Sequence, residues 1–380
     1  MEQSKGLNDT TELYKVVKDN IIRNKRFREE GKDISIPFPF QRFSEEIPGI
    51  QQGRYFITTA ASKTGKTQIT DYMFMYSPYR FIKECNTNIK LKINYFSLEM
   101  SKEDKILSAI SFFLYLYKGI RKSTDELSSI FKHKILDDDT LRAIEEIEPQ
   151  LYEFLSLVTY RDNIRNPYGI FKEIRKYAHA NGNYIDKEGN ILNTQWIEQG
   201  INEEAKKIFR YIPKNPDEFV INIVDHISLL TPEKGESLRD AMGRFSATHS
   251  IDARDRWKHI MVNVQQQSAD MESVDNVAAN MIRPSKTGLS DNKSTGNDVD
   301  TMLGLFSPYR FKRAEWENYN IKRLKDSYRE LSVIFNRRGS SVMTDLYFDG
   351  ACSYFKELPK VQDMNDAIYK QLENRDIKYR

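Results

Sequence analysis

Residues Ala60-Ala61-Ser62-Lys63-Thr64-Gly65-Lys66-Thr67 carry the spacing of a phosphate-binding loop, G-x-x-x-x-G-K-[ST], with Ala in place of the first Gly. Each position has a chemical task. Gly65 lets the backbone turn so that successive N–H groups face phosphate oxygens, Lys66 reaches the β- and γ-phosphates, and the Thr67 hydroxyl ligates Mg²⁺. The loop follows a short apolar, β-branched run, "RYFITTA", and precedes "TQITDYMFMY", which reads as a helix. That order of strand, loop and helix is what the chemistry requires.

Nucleotide hydrolysis in such a loop also needs a carboxylate at the end of another core strand, to hold magnesium through its water shell. "FVINIVDH" supplies Asp225 at the end of an apolar run. "INYFSLEMS" supplies Glu99 in the same setting, where it could orient or deprotonate the attacking water. If the strands are parallel, all three elements share one sheet edge, the edge where open α/β sheets collect their ligands.

The elements that position these residues follow from pattern. Apolar runs at 91–100, 219–230, 259–267 and 301–307 read as buried strands, and the long helical segments between them imply an α/β fold with a mostly parallel central sheet. "LDDDTLRAIEEIEPQLYEFL" and "NPYGIFKEIRKYAHANG" read as helices, and "NYIDKEGNILNTQ" as a surface hairpin or loop. "LSVIFNRRGSSVMTDLYFDGACSYFKEL" predicts antiparallel strands at the C-terminal sheet edge. Ser268 to Asp300, polar and poor in large apolar residues, reads as a mobile connection. Residues 11–30 place Leu13, Val16, Val17, Ile21 and Phe27 at roughly helical spacing beside Arg23, Lys25, Arg26 and Arg28.

With 58 basic against 55 acidic residues, affinity for nucleic acid must come from local patches and not from net charge. The two cysteines, Cys85 and Cys352, form no CxxC pair, and the five histidines lack metal-ligand spacing, which fits a reducing, cytoplasmic setting. No run approaches the roughly 18 apolar residues of a membrane span.

"FSLEMS" following a phosphate-binding loop resembles the motor of DnaB-type replicative hexameric helicases, a RecA-like domain. The resemblance runs from about Pro37 to Leu358. "INIVDHISLL" is similar to that family's magnesium-binding strand, with His226 where an aromatic Tyr is usual. "IMVNVQQQS" resembles the strand whose Gln senses the γ-phosphate, which implies Gln266. "LSDNKSTGNDVDTMLGLF" resembles the segment after the DNA-binding loop, including Asp298 and Asp300. "VIFNRRGSSV" resembles the turn that presents an arginine finger to the neighbouring subunit, implying Arg337, with Arg338 as the alternative.

The sequence departs from that pattern in three places. Phe335 stands where the family usually has a Lys that assists the finger, and Ser290 where a DNA-contacting Arg is common. The segment 268–300 carries Arg283, Lys286 and Lys293 as its candidate DNA contacts, against six acidic residues. Only about 35 residues precede the motor, too few for the helical primase-binding domain of many such helicases. A basic stretch from Ser307 to Glu330, interleaved with Tyr309, Phe311, Trp316, Tyr319 and Tyr328, either tracks a single strand by stacking or packs its aromatics on the domain.

The resemblance implies residues 1–35 as a helical segment docking on the adjacent subunit and 36–380 as a RecA-like motor using ATP and Mg²⁺. The motor would assemble as a homo-oligomeric ring, a hexamer, move on single-stranded DNA and meet a primase or helicase loader. The alternatives are a RecA-like recombination or strand-annealing ATPase, and a nucleotide-binding assembly or packaging component without helicase activity.

Overall fold

A computed structural model of the chain describes residues 9–192 and 207–375. Fourteen strands are present among them. In chain order they are β1 (Tyr55–Ala60), β2 (Lys90–Ser97), β3 (Val158–Arg161), β4 (Gly182–Ile185), β5 (Ile191–Leu192), β6 (Arg210–Pro213), β7 (Glu218–Asp225), β8 (Ile260–Gln266), β9 (Thr301–Phe306), β10 (Glu315–Trp316), β11 (Tyr319–Asn320), β12 (Tyr328–Asn336), β13 (Met343–Asp349) and β14 (Tyr354–Glu357).

Nine of these form one sheet in the order β14-β13-β12-β9-β1-β8-β7-β2-β3. From β9 through β3 every pair is parallel, and β9-β12, β12-β13 and β13-β14 are antiparallel. This is the α/β architecture expected from the sequence, with antiparallel strands at the C-terminal edge. The central strands are buried on both faces, so they read as continuous apolar runs without alternation.

The helix after the phosphate loop, Lys66–Asp71, runs on through a π-helical turn, Tyr72–Tyr76, into Ser77–Glu84. All five residues of that turn are buried, which explains why "YMFMY" lacks a 3.6-residue apolar period. Tyr76 stacks on Phe112 with ring centroids 4.1 Å apart, and Phe154 closes the group from the helix Asp138–Leu157. Behind the opposite sheet face, Phe171 of the helix Pro167–Ala180 stacks on Trp257 and His249.

The hairpin expected at 183–195 is present as β4 pairing β5, with β6 as a third strand; residues 193–195 lie outside the described residues. The helix expected near the N-terminus spans Asp9–Glu29 and leaves Tyr14, Val17, Ile21 and Ile22 exposed. Residues 1–8 of the expected docking segment, and 376–380 at the other end, lie outside the described residues. No helix among the described residues is long and apolar enough to cross a membrane.

The connection 268–300 is folded. It contains the short helices Ala269–Glu272, Val274–Ala278 and Lys293–Asn297. Its backbone is held by side-chain amides in place of apolar burial: Gln265 donates to the carbonyls of Ser290 and Asn292, and Gln267 to the Ser285 carbonyl and the Thr59 hydroxyl. A polar segment can thus be ordered without large apolar residues, because its backbone groups find buried polar partners.

Candidate nucleotide-binding site

The parallel strands β1, β2, β7 and β8 end at one sheet edge, with Ala60 beside Gln266 and Ser97 beside Asp225 in register. Lys66, Thr67, Glu99, Asp225 and Gln266 are therefore gathered along that edge, each at or just past a strand end. Ala60 is the buried last residue of β1, an extended position that needs no glycine, so its replacement of the usual Gly is accommodated. Left-handed backbone falls instead at Lys63 (φ 56°) and Gly65 (φ 99°). A Cβ on Gly65 would meet the Phe348 ring at 3.2 Å, so both the dihedral and the space call for glycine there.

The loop is held from below by Arg329 of β12. Its Nε donates to the Thr64 carbonyl at 2.7 Å, and its guanidinium lies 4.5 Å from the Phe348 ring centroid. The side chain is 1% exposed, and burial lowers the Arg329 pKa to about 10. Nothing in the sequence singles out Arg329; a lone arginine beginning an apolar strand is its only signal.

Asp225 accepts from the Tyr95 hydroxyl at Oδ2, 2.9 Å away, whereas its Oδ1 is buried without a protein partner. A buried carboxylate oxygen left free beside a loop of backbone N–H groups suits an ion's water shell, so Thr67 and Asp225 fit a magnesium ion on the chemistry of their donors. Glu99 is half-exposed, and its Oε2 lies 3.8 Å from His226 Nε2. Burial lowers the His226 pKa, the Lys66 ammonium adds to that, and Asp225, Glu99 and Asp291 oppose it.

Gln266 lines an open cleft of about 380 Å³ together with Ser228, Ser268, Ser290, Asp291 and Lys293. The strand end expected to sense phosphate thus shares a cleft with the start of the candidate DNA segment. Lys293 is exposed there. Arg283 is not: it forms a two-pronged ion pair with buried Glu330, pairs with Glu317, and lies 4.6 Å from the Trp316 ring centroid. Lys286 rests 4.9 Å from the ring centroid of Phe335. In the stretch Ser307–Glu330, Phe311 and Trp316 pack on Phe306, and Tyr319 and Tyr328 are buried, leaving Tyr309 exposed.

Arg337 lies at the other end of the sheet. Because β12 runs antiparallel to β9, Asn336 pairs with Thr301 at the start of β9, while Glu330 pairs with Phe306 at its end. Six residues of strand separate the two edges, about 20 Å at 3.3 Å per residue. Arg337 stands at the far edge beside Asp300, with Arg338 next to it and Arg54 and Arg254 around the same carboxylate. Asp300 accepts from the Tyr55 backbone N–H and Asp298 from the Ser246 hydroxyl, so that acidic pair anchors the strand starts.

Sheet order, loop and strand-end carboxylate together define a P-loop ATPase domain of RecA-like fold. No protein-family profile and no curated protein matches the chain by sequence. Solved structures do match in fold. The ATPase domain of a phage helicase aligns at TM-score 0.62 and 14% identity, over 90% of this chain and 98% of that one. A DnaB-like replicative helicase, solved in a study of its interactions with primase, aligns at TM-score 0.60 and 15% identity, over 90% of this chain and 66% of that one. The fold is that of the DnaB-type helicase motor domain.

Proposed function

We propose that the protein is an ATP-driven motor of a ring helicase, acting in the cytoplasm on single-stranded DNA. The observation that carries this reading is the placement of its site residues. Lys66, Thr67, Glu99, Asp225 and Gln266 gather at one sheet edge, and Arg337 is displayed at the opposite edge of the same sheet. Such a division makes sense for a chain whose Arg337 completes the site of a neighbouring copy.

In this reading backbone N–H groups of the loop and the Lys66 ammonium bind the β- and γ-phosphates, and Glu99 takes the proton of the attacking water. Magnesium, held through Thr67 and Asp225, neutralises charge on the β- and γ-phosphate oxygens. Gln266 reports the γ-phosphate to the cleft it shares with Lys293, and the segment 288–293 moves with DNA bound. Lys293 and Lys286 are its DNA contacts; Arg283, already paired with Glu330 and Glu317, contributes least. The exposed apolar face of Asp9–Glu29 docks on the next subunit of a hexamer, and a primase or loader is the expected partner.

A second reading, an assembly or packaging component, draws on the commitment of Arg283 and the packing of Phe335 under Lys286. ATP hydrolysis with and without single-stranded DNA separates the two, measured for the wild type and for Glu99→Gln with assembly followed by light scattering. Stimulation by DNA, and a loss on the order of 10²–10⁴-fold in Glu99→Gln with the ring intact, supports the motor. A stable nucleotide-bound ring indifferent to DNA supports the second reading.

A further inference from the structure

Four side chains form a buried line that ends in the site. Lys105 Nζ lies 2.5 Å from Asp71 Oδ2 and 2.9 Å from the Tyr95 hydroxyl, which lies 2.9 Å from Asp225 Oδ2. Lys105 is 1% exposed, Asp71 3% and Tyr95 0%. Each stands in otherwise apolar surroundings. Asp71 ends the helix that leaves the phosphate loop, Tyr95 sits between Ile93 and Phe96 in β2, and Lys105 lies in the first turn of the helix Lys102–Lys118. The ammonium also lies 4.1 Å from the Tyr95 ring centroid.

The proton inventory fixes the direction of this line. An ammonium only donates and an ionised carboxylate only accepts, so the single hydroxyl proton of Tyr95 must point to Asp225 while its oxygen accepts from Lys105. Hydrogen bonds in series polarise one another, and a hydroxyl that accepts from a cation becomes a stronger donor. A buried ion pair gains the fold little over an apolar group of the same volume, because each ion costs several kcal/mol to desolvate. The arrangement's distinctive effect is therefore on Asp225: one carboxylate oxygen is held, and the other, Oδ1, is left without a protein partner.

We propose that Lys105 and Tyr95, with Asp71 as counter-ion, are positioning residues for the magnesium-binding carboxylate Asp225. Asp71 fixes Lys105, Lys105 polarises Tyr95, and Tyr95 holds Asp225 in the one orientation that presents Oδ1 to the metal's water shell. The proposal rests on the Mg²⁺-nucleotide reading of the site. Partners that orient a metal-binding side chain from behind typically contribute 10- to 100-fold to metal affinity.

Two variants test it: Tyr95→Phe, which removes only the hydroxyl, and Asp71→Leu/Lys105→Met, which removes the ion pair together and leaves no orphan charge. Binding of a fluorescent ATP analogue is titrated with Mg²⁺, nucleotide affinity is measured without Mg²⁺, and melting temperature is measured without nucleotide. Both variants should need about tenfold more Mg²⁺ for half-saturation, with Mg²⁺-free nucleotide affinity unchanged and the hydrolysis rate restored at saturating Mg²⁺. An unchanged Mg²⁺ requirement in Tyr95→Phe overturns the proposal, whatever happens to melting temperature, and decides the matter alone if the double variant does not fold. A wild type that binds nucleotide without any response to Mg²⁺ would overturn the underlying reading and this proposal with it.

Discussion

The two ends of the central sheet differ in kind. At the end where the parallel strands finish, functional groups are gathered and braced: the phosphate loop over Arg329, Asp225 behind Tyr95, Glu99 beside His226. At the end where they begin, Arg337 and Arg338 extend past a turn and Arg337 is 45% exposed, with its nearest carboxylate, Asp300, 3.9 Å away. Strand β12 spans both, placing Arg329 under the loop and Arg337 at the far edge. The contrast separates two uses of one residue type, a buried brace and a displayed charge, and it follows from the polarity of a single antiparallel strand.

The comparison breaks most decisively in a mixing experiment. Lys66→Ala and Arg337→Ala should each lower hydrolysis by about 10³-fold or more. If Arg337 serves a neighbouring copy, mixing the two inactive variants restores activity to a sizeable fraction of wild type, because some interfaces then pair an intact loop with an intact Arg337. No recovery on mixing, with mixed assemblies verified, would mean that the two edges do not meet between copies.

Stability sharpens the same comparison at a smaller scale. Arg329→Met strips partners from the buried carbonyl of Thr64 and should cost about 2–4 kcal/mol, seen as a lower melting temperature and weaker nucleotide binding. Arg337→Ala, on the same strand, should change stability by no more than about 0.5 kcal/mol. Similar losses for both would remove the distinction between brace and displayed charge.

The smallest effect concerns the layer behind the sheet, where burial lowers His249 to about 4 and His259 to about 3. Both are held neutral in the fold, and the unfolded chain protonates near 6.5, so the unfolded state binds more protons as pH falls below that value. Stability present above pH 6.5 should therefore decline toward pH 5, by roughly 1–2 kcal/mol for each histidine. Melting curves at pH 7.5 and 5.0 check this. His249→Phe, which keeps the stack on Phe171, should flatten the slope, and an unchanged slope would exclude that histidine as a source.

Much of the site is legible in the chain. The loop from Ala60 to Thr67 declares itself by spacing, and Asp225 and Glu99 do so because a carboxylate closing an apolar run has few other reasons to be there. β3 gives no such signal, since "VTYR" follows directly on the helix Asp138–Leu157 with no turn residue between them. The segment 268–300 reads as mobile because polarity is the only signal available, and the amides of Gln265 and Gln267 that hold it sit on another element. Arg283 reads as a free basic residue since Glu330, its partner, is 47 positions away.

What the sequence determined by itself was local: which segments alternate or run apolar, where the loop turns, and which residue types close the strands. Those signals depend on spacing within a few residues, and spacing is written in the chain. What only the tertiary structure decided was which distant groups meet. Strand order set Ala60 beside Gln266 and Ser97 beside Asp225, the reversal of β12 sent Arg329 and Arg337 to opposite edges, and helix packing brought Asp71, Lys105 and Tyr95 into one line behind Asp225. An isolated Asp or Lys in an apolar run announces a buried charge, but its partner is chosen by packing, because the cost of leaving that charge unpaired is settled only once the chain has folded around it.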